Sequence, residues 1–220
     1  MMLDTSCSKK LVFDSHVLDF FIDKQNLDNN IFRFHYREDK NNAATEYWSC
    51  STHIIPVTSG IWLVHDGIHT QVRNLFLGHS AVDVLCFVQL RQEWLKTPGN
   101  VAFVATGLRP SVSQIAFLKD RFVNAKLHTF FDEGLTGRVT DCKVALWSVG
   151  KTATFRVVDE LVEICYCNTK FHLPSQSFSL NQFEKITGFR SGIRTHKPKG
   201  NYRSFRDLFM DSSNFLKPNN

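Results

Sequence analysis

The sequence predicts an α/β protein built on a small parallel sheet, with further β elements on its N-terminal and C-terminal sides. Three apolar runs, at 72–77, 101–106 and 127–131, have the length and residue types of buried strands. A segment with helical spacing of its apolar residues follows each run. Three successive strand–helix units require parallel pairing with right-handed crossovers, so residues 72–150 are expected to form one layered unit.

Capping residues mark where the predicted helices begin. Ser80 is a suitable N-cap for the first helix, which is expected to extend to about Leu95. The second helix begins at Ser111, and Gln114 three residues later completes a capping box. The third helix has the most regular apolar face, formed by Leu135, Val139, Cys142, Leu146 and Val149.

Less regular patterns precede the central unit. Alternating aromatic and polar residues at 32–37 predict a strand, and the apolar runs 54–57 and 61–65 predict a hairpin around the turn residues between them. We expect these elements to belong to an N-terminal α+β extension, residues 1–70, that packs on an α/β core at residues 71–170.

The C-terminal part continues with β-type sequence and then changes in composition. Residues 154–167 predict one or two strands, along which Cys165 and Cys167 alternate. No second cysteine pair accompanies them, which argues against a zinc site. Residues 171–220 are expected to form a basic tail, in which 205–210 predicts a short docking helix.

Composition narrows the class of protein. The chain has 220 residues, 43% of them hydrophobic and 21% charged, which excludes a disordered or collagen-like chain. No apolar run reaches the roughly 18 residues that a membrane helix needs, so no membrane contact is expected. The six scattered cysteines favour free thiols in a reducing compartment, and we predict a cytoplasmic protein.

Positive charge is concentrated in the C-terminal part. The formal net charge is +5, and residues 185–220 carry eight basic and two acidic side chains, so this segment accounts for the whole excess. Aromatic residues are interleaved with the cations, a mixture typical of segments that follow a nucleic-acid backbone. The predicted nucleic-acid-binding residues are Arg190, Arg194, Lys197, Lys199, Tyr202, Arg203 and Arg206. A solubilising or partner-docking tail is the alternative interpretation.

Polar residues follow all three predicted strands of the central unit. His79 follows the first strand, Thr106 and Gly107 follow the second, and Asp132 and Glu133 follow the third. Because ligands bind at the C-terminal ends of parallel strands, these five residues mark the expected site.

The residues around the first strand end resemble the Toprim domain of bacterial primases, topoisomerases and related nucleases. In that family the first strand ends in a Glu, and an Asp follows four residues later in the helix. Here His79 occupies the Glu position and Asp83 is retained. The resemblance covers roughly residues 72–150.

The third strand end carries the second part of the resemblance. The family pattern is Asp-x-Asp followed by x-x-Gly-Arg. The sequence here retains Asp132, Gly137 and Arg138, whereas Gly134 replaces the second Asp. The pattern is specific for the fold more than for an activity, because one of the two paired carboxylates is absent.

The resemblance implies a phosphodiester chemistry in which the Glu transfers protons and the Asp pair holds Mg²⁺. His79 is then the candidate catalytic residue, since an imidazole also transfers protons. Asp132, Glu133 and Asp83 are the candidate metal ligands, with Mg²⁺ as the candidate cofactor.

A structural interpretation of the same residues stands beside the catalytic one. Asp132 and Glu133 would be turn and N-cap residues of a helix that starts at Thr136, and Asp83 would be an acidic residue in the first turn of its helix. Arg138 would then serve only as the ion-pair partner of Asp132.

Three functions remain open from the sequence. The first is a Toprim-like nucleic-acid-binding protein with a degenerate catalytic site, an accessory in DNA processing or mobile-element maintenance by analogy with the family. The second is a Mg²⁺-dependent phosphotransfer enzyme or nuclease. The third is a protein-interaction module, with a protein partner or a second copy of the chain as ligand. The missing second Asp, at Gly134, favours the first over the second.

Overall fold

The computed structural model describes residues 13–21, 26–28, 31–38, 41–49 and 51–214. The described strands are β1 (Asn26–Asp28), β2 (Ile31–Glu38), β3 (Asn41–Trp48), β4 (His53–Ile54), β5 (Trp62–His65), β6 (Asn74–Gly78), β7 (Val101–Ala105), β8 (Lys126–Thr129), β9 (Thr154–Val158), β10 (Leu161–Tyr166), β11 (Thr169–Pro174) and β12 (Arg194–Thr195). The described helices are α1 (Ser15–Phe21), α2 (Ala81–Leu90), α3 (Val112–Arg121), α4 (Leu135–Trp147), α5 (Leu180–Thr187) and α6 (Phe205–Asn214).

A five-stranded sheet forms the centre of the molecule, in the order β12-β8-β6-β7-β5. The predicted alternation of strands and helices from β6 to α4 is confirmed, and β12, β8, β6 and β7 are parallel. The sheet is nevertheless mixed, because β5 pairs antiparallel with β7 at one edge. Every residue of β7 is buried, as expected for a strand covered on both faces.

Local capping signals fix the helix starts. Ser80 accepts a hydrogen bond from the Asp83 amide, and Ser111 and Gln114 form the predicted capping box. Helix α2 ends at Leu90, earlier than predicted, and a 3₁₀ turn at Gln92–Lys96 follows. That turn packs Trp94 against Phe76, with 4.7 Å between the ring centroids.

The predicted hairpin of 54–57 with 61–65 is wrong. Strand β4 pairs with β3 in an antiparallel N-terminal sheet, whereas β5 joins the central sheet. The chain crosses between the two sheets at Gly60, where a side chain would meet the Arg37 backbone at 3.0 Å. Trp62 then stacks on Phe21, so tertiary packing overrides the local turn signal.

A second antiparallel sheet, β11-β10-β9, follows α4. Residues 154–167 therefore contain two strands, as one of the predicted alternatives had it. Cys165 lies in β10, but Cys167 lies in the tight turn to β11 with a φ of 49°, so the two do not alternate along one strand. Among the described residues the free cysteines are Cys86, Cys142, Cys165 and Cys167; Cys7 and Cys50 lie outside the described residues.

The basic segment after α5 is part of the folded body. Strand β12 adds to the central sheet beside β8, and α6 packs against α2. Phe205 and Phe209 of α6 are buried, with Phe205 against the ring of Phe87. The predicted docking helix is confirmed and extends to Asn214. None of the helices formed by the described residues is long and apolar enough to cross a membrane.

Candidate functional site at the strand ends

The C-terminal ends of β6, β7 and β8 lie side by side, as the parallel register requires. The Phe130 amide donates to Leu77 O, and the Gly107 amide donates to His79 O at 2.9 Å. Residues that directly follow the three strands therefore meet at one edge of the sheet, which is where ligands bind in such folds.

His79 is buried at this edge. Its Nδ1 lies 3.2 Å from the Gly107 carbonyl oxygen, and its ring lies 4.5 Å from that of Phe131. Burial lowers the pKa of His79, and the nearby Asp132 carboxylate and the Gly107 carbonyl only partly oppose this effect. The imidazole is therefore a neutral base at pH 7, able to accept a proton.

Asp83 is also buried, and one of its oxygens has a structural role. Asp83 Oδ1 accepts a hydrogen bond from the Arg206 amide at 3.3 Å, which caps the first turn of α6. Burial, and then the Asp132 charge, raise the pKa of Asp83 to about 7. The predicted role as a first-turn acid of α2 is therefore accompanied by a tertiary contact that sequence reasoning did not foresee.

Asp132 and Glu133 form the turn between β8 and α4. The Asp132 side chain is exposed, and the Glu133 amide donates to Arg203 O at 2.8 Å. Glu133 Oε2 is buried without a hydrogen-bond partner. The N-cap of α4 is Gly134, so neither acidic residue caps that helix, in contrast to the structural interpretation above.

Gly137 explains part of the retained motif. A Cβ at this position would lie 2.0 Å from Asp132 O, so only glycine allows the turn to lie against the first turn of α4. Arg138 is not the partner of Asp132 either, since its guanidinium donates to the carbonyls of Ser175 and Gln176. The Gly-Arg pair therefore has a packing role and an anchoring role here.

The donor set at this edge does not fit a magnesium ion held by three carboxylates. Within the described ranges, no three His, Cys, Asp or Glu side chains are grouped closely enough to hold a metal ion. One carboxylate oxygen of Asp83 accepts from the backbone of α6, and Gly134 contributes no side-chain oxygen ligand. The assignment of Asp132, Glu133 and Asp83 as ligands thus stays a prediction without an assembled site.

The predicted nucleic-acid-binding residues fall into two groups. Four side chains are exposed: Arg190, Arg194, Lys199 and Arg203. The other three are engaged within the protein: Lys197, Tyr202 and Arg206.

The three side chains engaged within the protein, Lys197, Tyr202 and Arg206, anchor the basic segment at the strand-end edge. Lys197 Nζ donates to Phe131 O, to Asp132 O and to the buried Asp141 carboxylate, each within 2.9 Å. Arg206 contacts the His53 ring, and Tyr202 donates to Asp211. The segment 197–206 therefore crosses the sheet edge directly beside the residues that follow β8.

Sequence reasoning missed Glu46, the most buried acid near this edge. Its side chain is 0% exposed and accepts from Tyr36 Oη at 2.5 Å and from the Ala81 amide at 2.8 Å. His53 Nε2 lies 2.8 Å from its other oxygen. Nothing in the local pattern around Glu46 signals this, because its partners lie on other elements.

Comparison with known proteins adds no assignment. No protein-family model matches the chain, and a search of curated proteins finds no match.

Proposed function

We propose that this chain is a Toprim-like protein that binds nucleic acid without sequence preference, through the basic segment at the strand-end edge. One observation carries the proposal: Lys199 and Arg203 are exposed on a segment that is hydrogen-bonded to the turn at Asp132 and Glu133. Exposed cations therefore line the edge where parallel α/β sheets bind ligands.

The separation of engaged and exposed cations supports this function. Lys197 and Arg206 fix the path of the segment, so Lys199 and Arg203 keep their charges free for an external anion. Cations on an ordered backbone cost less conformational entropy on binding than cations on a disordered tail, because the backbone is already held in place. Sequence-independent contacts of this kind act on phosphates, which all nucleic acids share.

The state of the site favours binding over cleavage. Gly134 stands where the family has its second Asp, and Asp83 accepts a hydrogen bond from the backbone of α6. A role as an accessory in DNA processing or mobile-element maintenance rests on the resemblance alone, and a cytoplasmic location rests on the pattern of the cysteines. A Mg²⁺-dependent phosphotransfer enzyme or nuclease is the alternative, with the neutral His79 as its proton acceptor.

The test measures fluorescence anisotropy of labelled 20-nucleotide single strands and duplexes at several salt concentrations. We expect affinity to fall steeply with salt, and Lys199→Gln with Arg203→Gln to weaken binding about 10-fold and reduce the salt slope by about two. The matched control replaces two exposed cations of the β11-β10-β9 sheet, Arg156→Gln with Lys170→Gln, and should bind as the wild type does.

Two results would overturn the proposal. Wild-type protein that binds neither oligonucleotide, or binds with no dependence on salt, would point to a protein partner instead. Cleavage of the oligonucleotide with Mg²⁺ or Mn²⁺ that disappears in His79→Ala would establish the enzyme. Circular dichroism verifies that each variant is folded.

A further inference from the structure

Two histidines lie in contact on the side of the central sheet formed by β8 and β12. His128 of β8 and His196, just after β12, have their rings 5.2 Å apart at an interplanar angle of 24°. His128 Nδ1 lies 2.9 Å from His196 Nε2, and His128 Nε2 lies 3.1 Å from Asn74 Oδ1. Because the Asn74 oxygen only accepts, His128 carries its proton on Nε2, and His196 Nε2–H donates to His128 Nδ1. His196 Nδ1 is then the nitrogen left to take up a further proton.

Cations outnumber acids around this pair. The charged groups that face it are Arg194 of β12, Lys126 of β8, Arg91 at the C-cap of α2 and Glu93 in the 3₁₀ turn that follows. Glu93 is half exposed and lies 3.9 Å from Arg91, so it offsets one of the three positive charges. Burial lowers the pKa of both imidazoles to about 4. For His128 the neighbouring His196 is the next cause, and for both rings the nearby cations add to the effect.

The surface also presents an aromatic ring. Trp94 is partly exposed and lies 5.5 Å from His128 and 6.4 Å from His196, each in an edge arrangement. Among the described residues β12 is the outermost strand on this side of the sheet, so no further strand covers this edge. Guanidinium and ammonium groups beside a partly exposed indole resemble the surfaces on which nucleic acids bind, with phosphates on the cations and a base on the ring.

We propose that Arg91, Lys126 and Arg194, with Trp94 and His196 between them, form a second contact for the phosphodiester backbone of the same nucleic acid. This inference rests on the proposed function and extends it, because Arg194 belongs to the segment that continues to Lys199 and Arg203 at the strand ends. The nucleic acid would run along β12 from this edge to the strand-end edge.

Binding here is coupled to protonation of the histidine pair. A bound phosphate offsets the repulsion from Arg194, Lys126 and Arg91, so the pair accepts a proton more readily in the complex than in the free protein. His196 Nδ1–H then becomes an additional donor to the anion. Because the complex binds the proton more tightly than the free protein, affinity must rise as the pH falls toward 5.5.

The experiment uses the same anisotropy assay with the full chain at pH 5.5, 6.5 and 7.5. We expect Arg91→Gln with Lys126→Gln to weaken binding about 10-fold at fixed salt and to reduce the salt slope by about two, whereas Arg156→Gln with Lys170→Gln has no effect. Wild-type affinity should rise about 2-fold between pH 7.5 and 5.5, because a bound phosphate offsets the repulsion from the cations but not the effect of burial. His196→Gln should abolish most of that rise, and the control His172→Gln, at an exposed position of β11, should retain it.

The outcomes separate this inference from the proposed function. Wild-type binding that requires Lys199 and Arg203 but is unchanged in the variant of Arg91 and Lys126 would overturn the second contact and leave the first intact. A pH dependence that persists in His196→Gln would overturn the protonation step. Absence of any wild-type binding would overturn both proposals. The Arg91 and Lys126 changes are on the surface, so they test the contact even if His196→Gln unfolds.

Discussion

Glu46 of β3 caps α2 of the central unit, with its Oε2 2.8 Å from the Ala81 amide nitrogen. The same carboxylate accepts from Tyr36 Oη, from the Val82 amide at 3.3 Å and from His53. A buried negative charge at a helix N-terminus is stabilised both by the exposed amides and by the helix dipole. This fully buried side chain is therefore one of the links between the N-terminal sheet and the α/β unit.

We expect Glu46→Gln to destabilise the protein by about 2 to 4 kcal/mol, because an amide cannot accept from all four of these donors. The free energy of unfolding is measured by urea denaturation, with Glu160→Gln at an exposed turn as the control. Equal stability of both variants would contradict the capping role of Glu46.

For Gly137→Ala, the direction of the change in the free energy of unfolding tests the contact between the turn and α4. In an ordinary helix, replacing glycine by alanine stabilises the protein by about 1 kcal/mol. Here the new Cβ would meet Asp132 O at 2.0 Å, so we expect a loss of about 2 to 3 kcal/mol instead. Gly99→Ala is the control, since its Cβ would meet nothing within 4 Å. Stabilisation by Gly137→Ala would show that the turn does not lie against α4.

Gly134 offers a way to restore the missing carboxylate. Its φ is −61° and a Cβ there would meet nothing within 4 Å, so Gly134→Asp fits without strain. We expect it to keep or slightly raise stability as an N-cap and to produce Mn²⁺ binding that is measurable by calorimetry.

The neutral variant Gly134→Asn is the control for that experiment, and the combination with Asp132→Asn should remove the new binding. Metal binding equal in Gly134→Asp and Gly134→Asn would contradict the expectation that the added charge lies beside Asp132.

The histidine pair predicts how stability changes with pH. The pKa of each ring is about 4 in the folded protein and near 6.5 when unfolded. Below pH 6.5 the unfolded chain binds protons that the folded protein does not, so the pair lowers stability as the pH falls from 6.5 to 4. Since His196 keeps partial access to water, we expect a loss of about 2 kcal/mol in total.

Urea denaturation of the wild type and of His196→Gln between pH 4.5 and 7.5 measures this loss. Asp83 has the opposite effect over an overlapping range, because its raised pKa, about 7, makes the folded protein retain a proton that the unfolded chain releases. The difference between the two proteins therefore isolates the pair. Parallel curves for wild type and His196→Gln would contradict the assignment.

Local sequence signals were sufficient to predict the strands and helices of the central unit. The apolar runs and the caps at Ser80, Ser111 and Gln114 depend on residues close in sequence, and each of these caps is confirmed. Non-local pairing was not accessible in this way. Nothing near β5 indicates that its partner is β7 rather than β4, since the choice depends on packing of Trp62 against Phe21 and Phe34.

The site was only partly predictable for a related reason. Positions such as His79 and Asp132 follow from the strand ends, but a count of charges does not reveal which of them are satisfied inside the protein. Lys197 has its partner, Asp141, on α4, and Arg206 contacts His53 in the N-terminal sheet. Neither contact can be predicted from the residues next to Lys197 or Arg206 in the sequence.

The position of α6 has a consequence for biosynthesis. Its Phe205 covers Phe87, and Phe209 stacks on Phe13, so rings from both ends of the described chain share one cluster with the α2 face of the sheet. On the ribosome, α2 and the strands around it emerge first and expose these rings until α6 has been synthesised. Completion of the fold therefore waits for the segment that carries the positive charge, and a nascent chain that lacks it exposes an aromatic surface prone to aggregation.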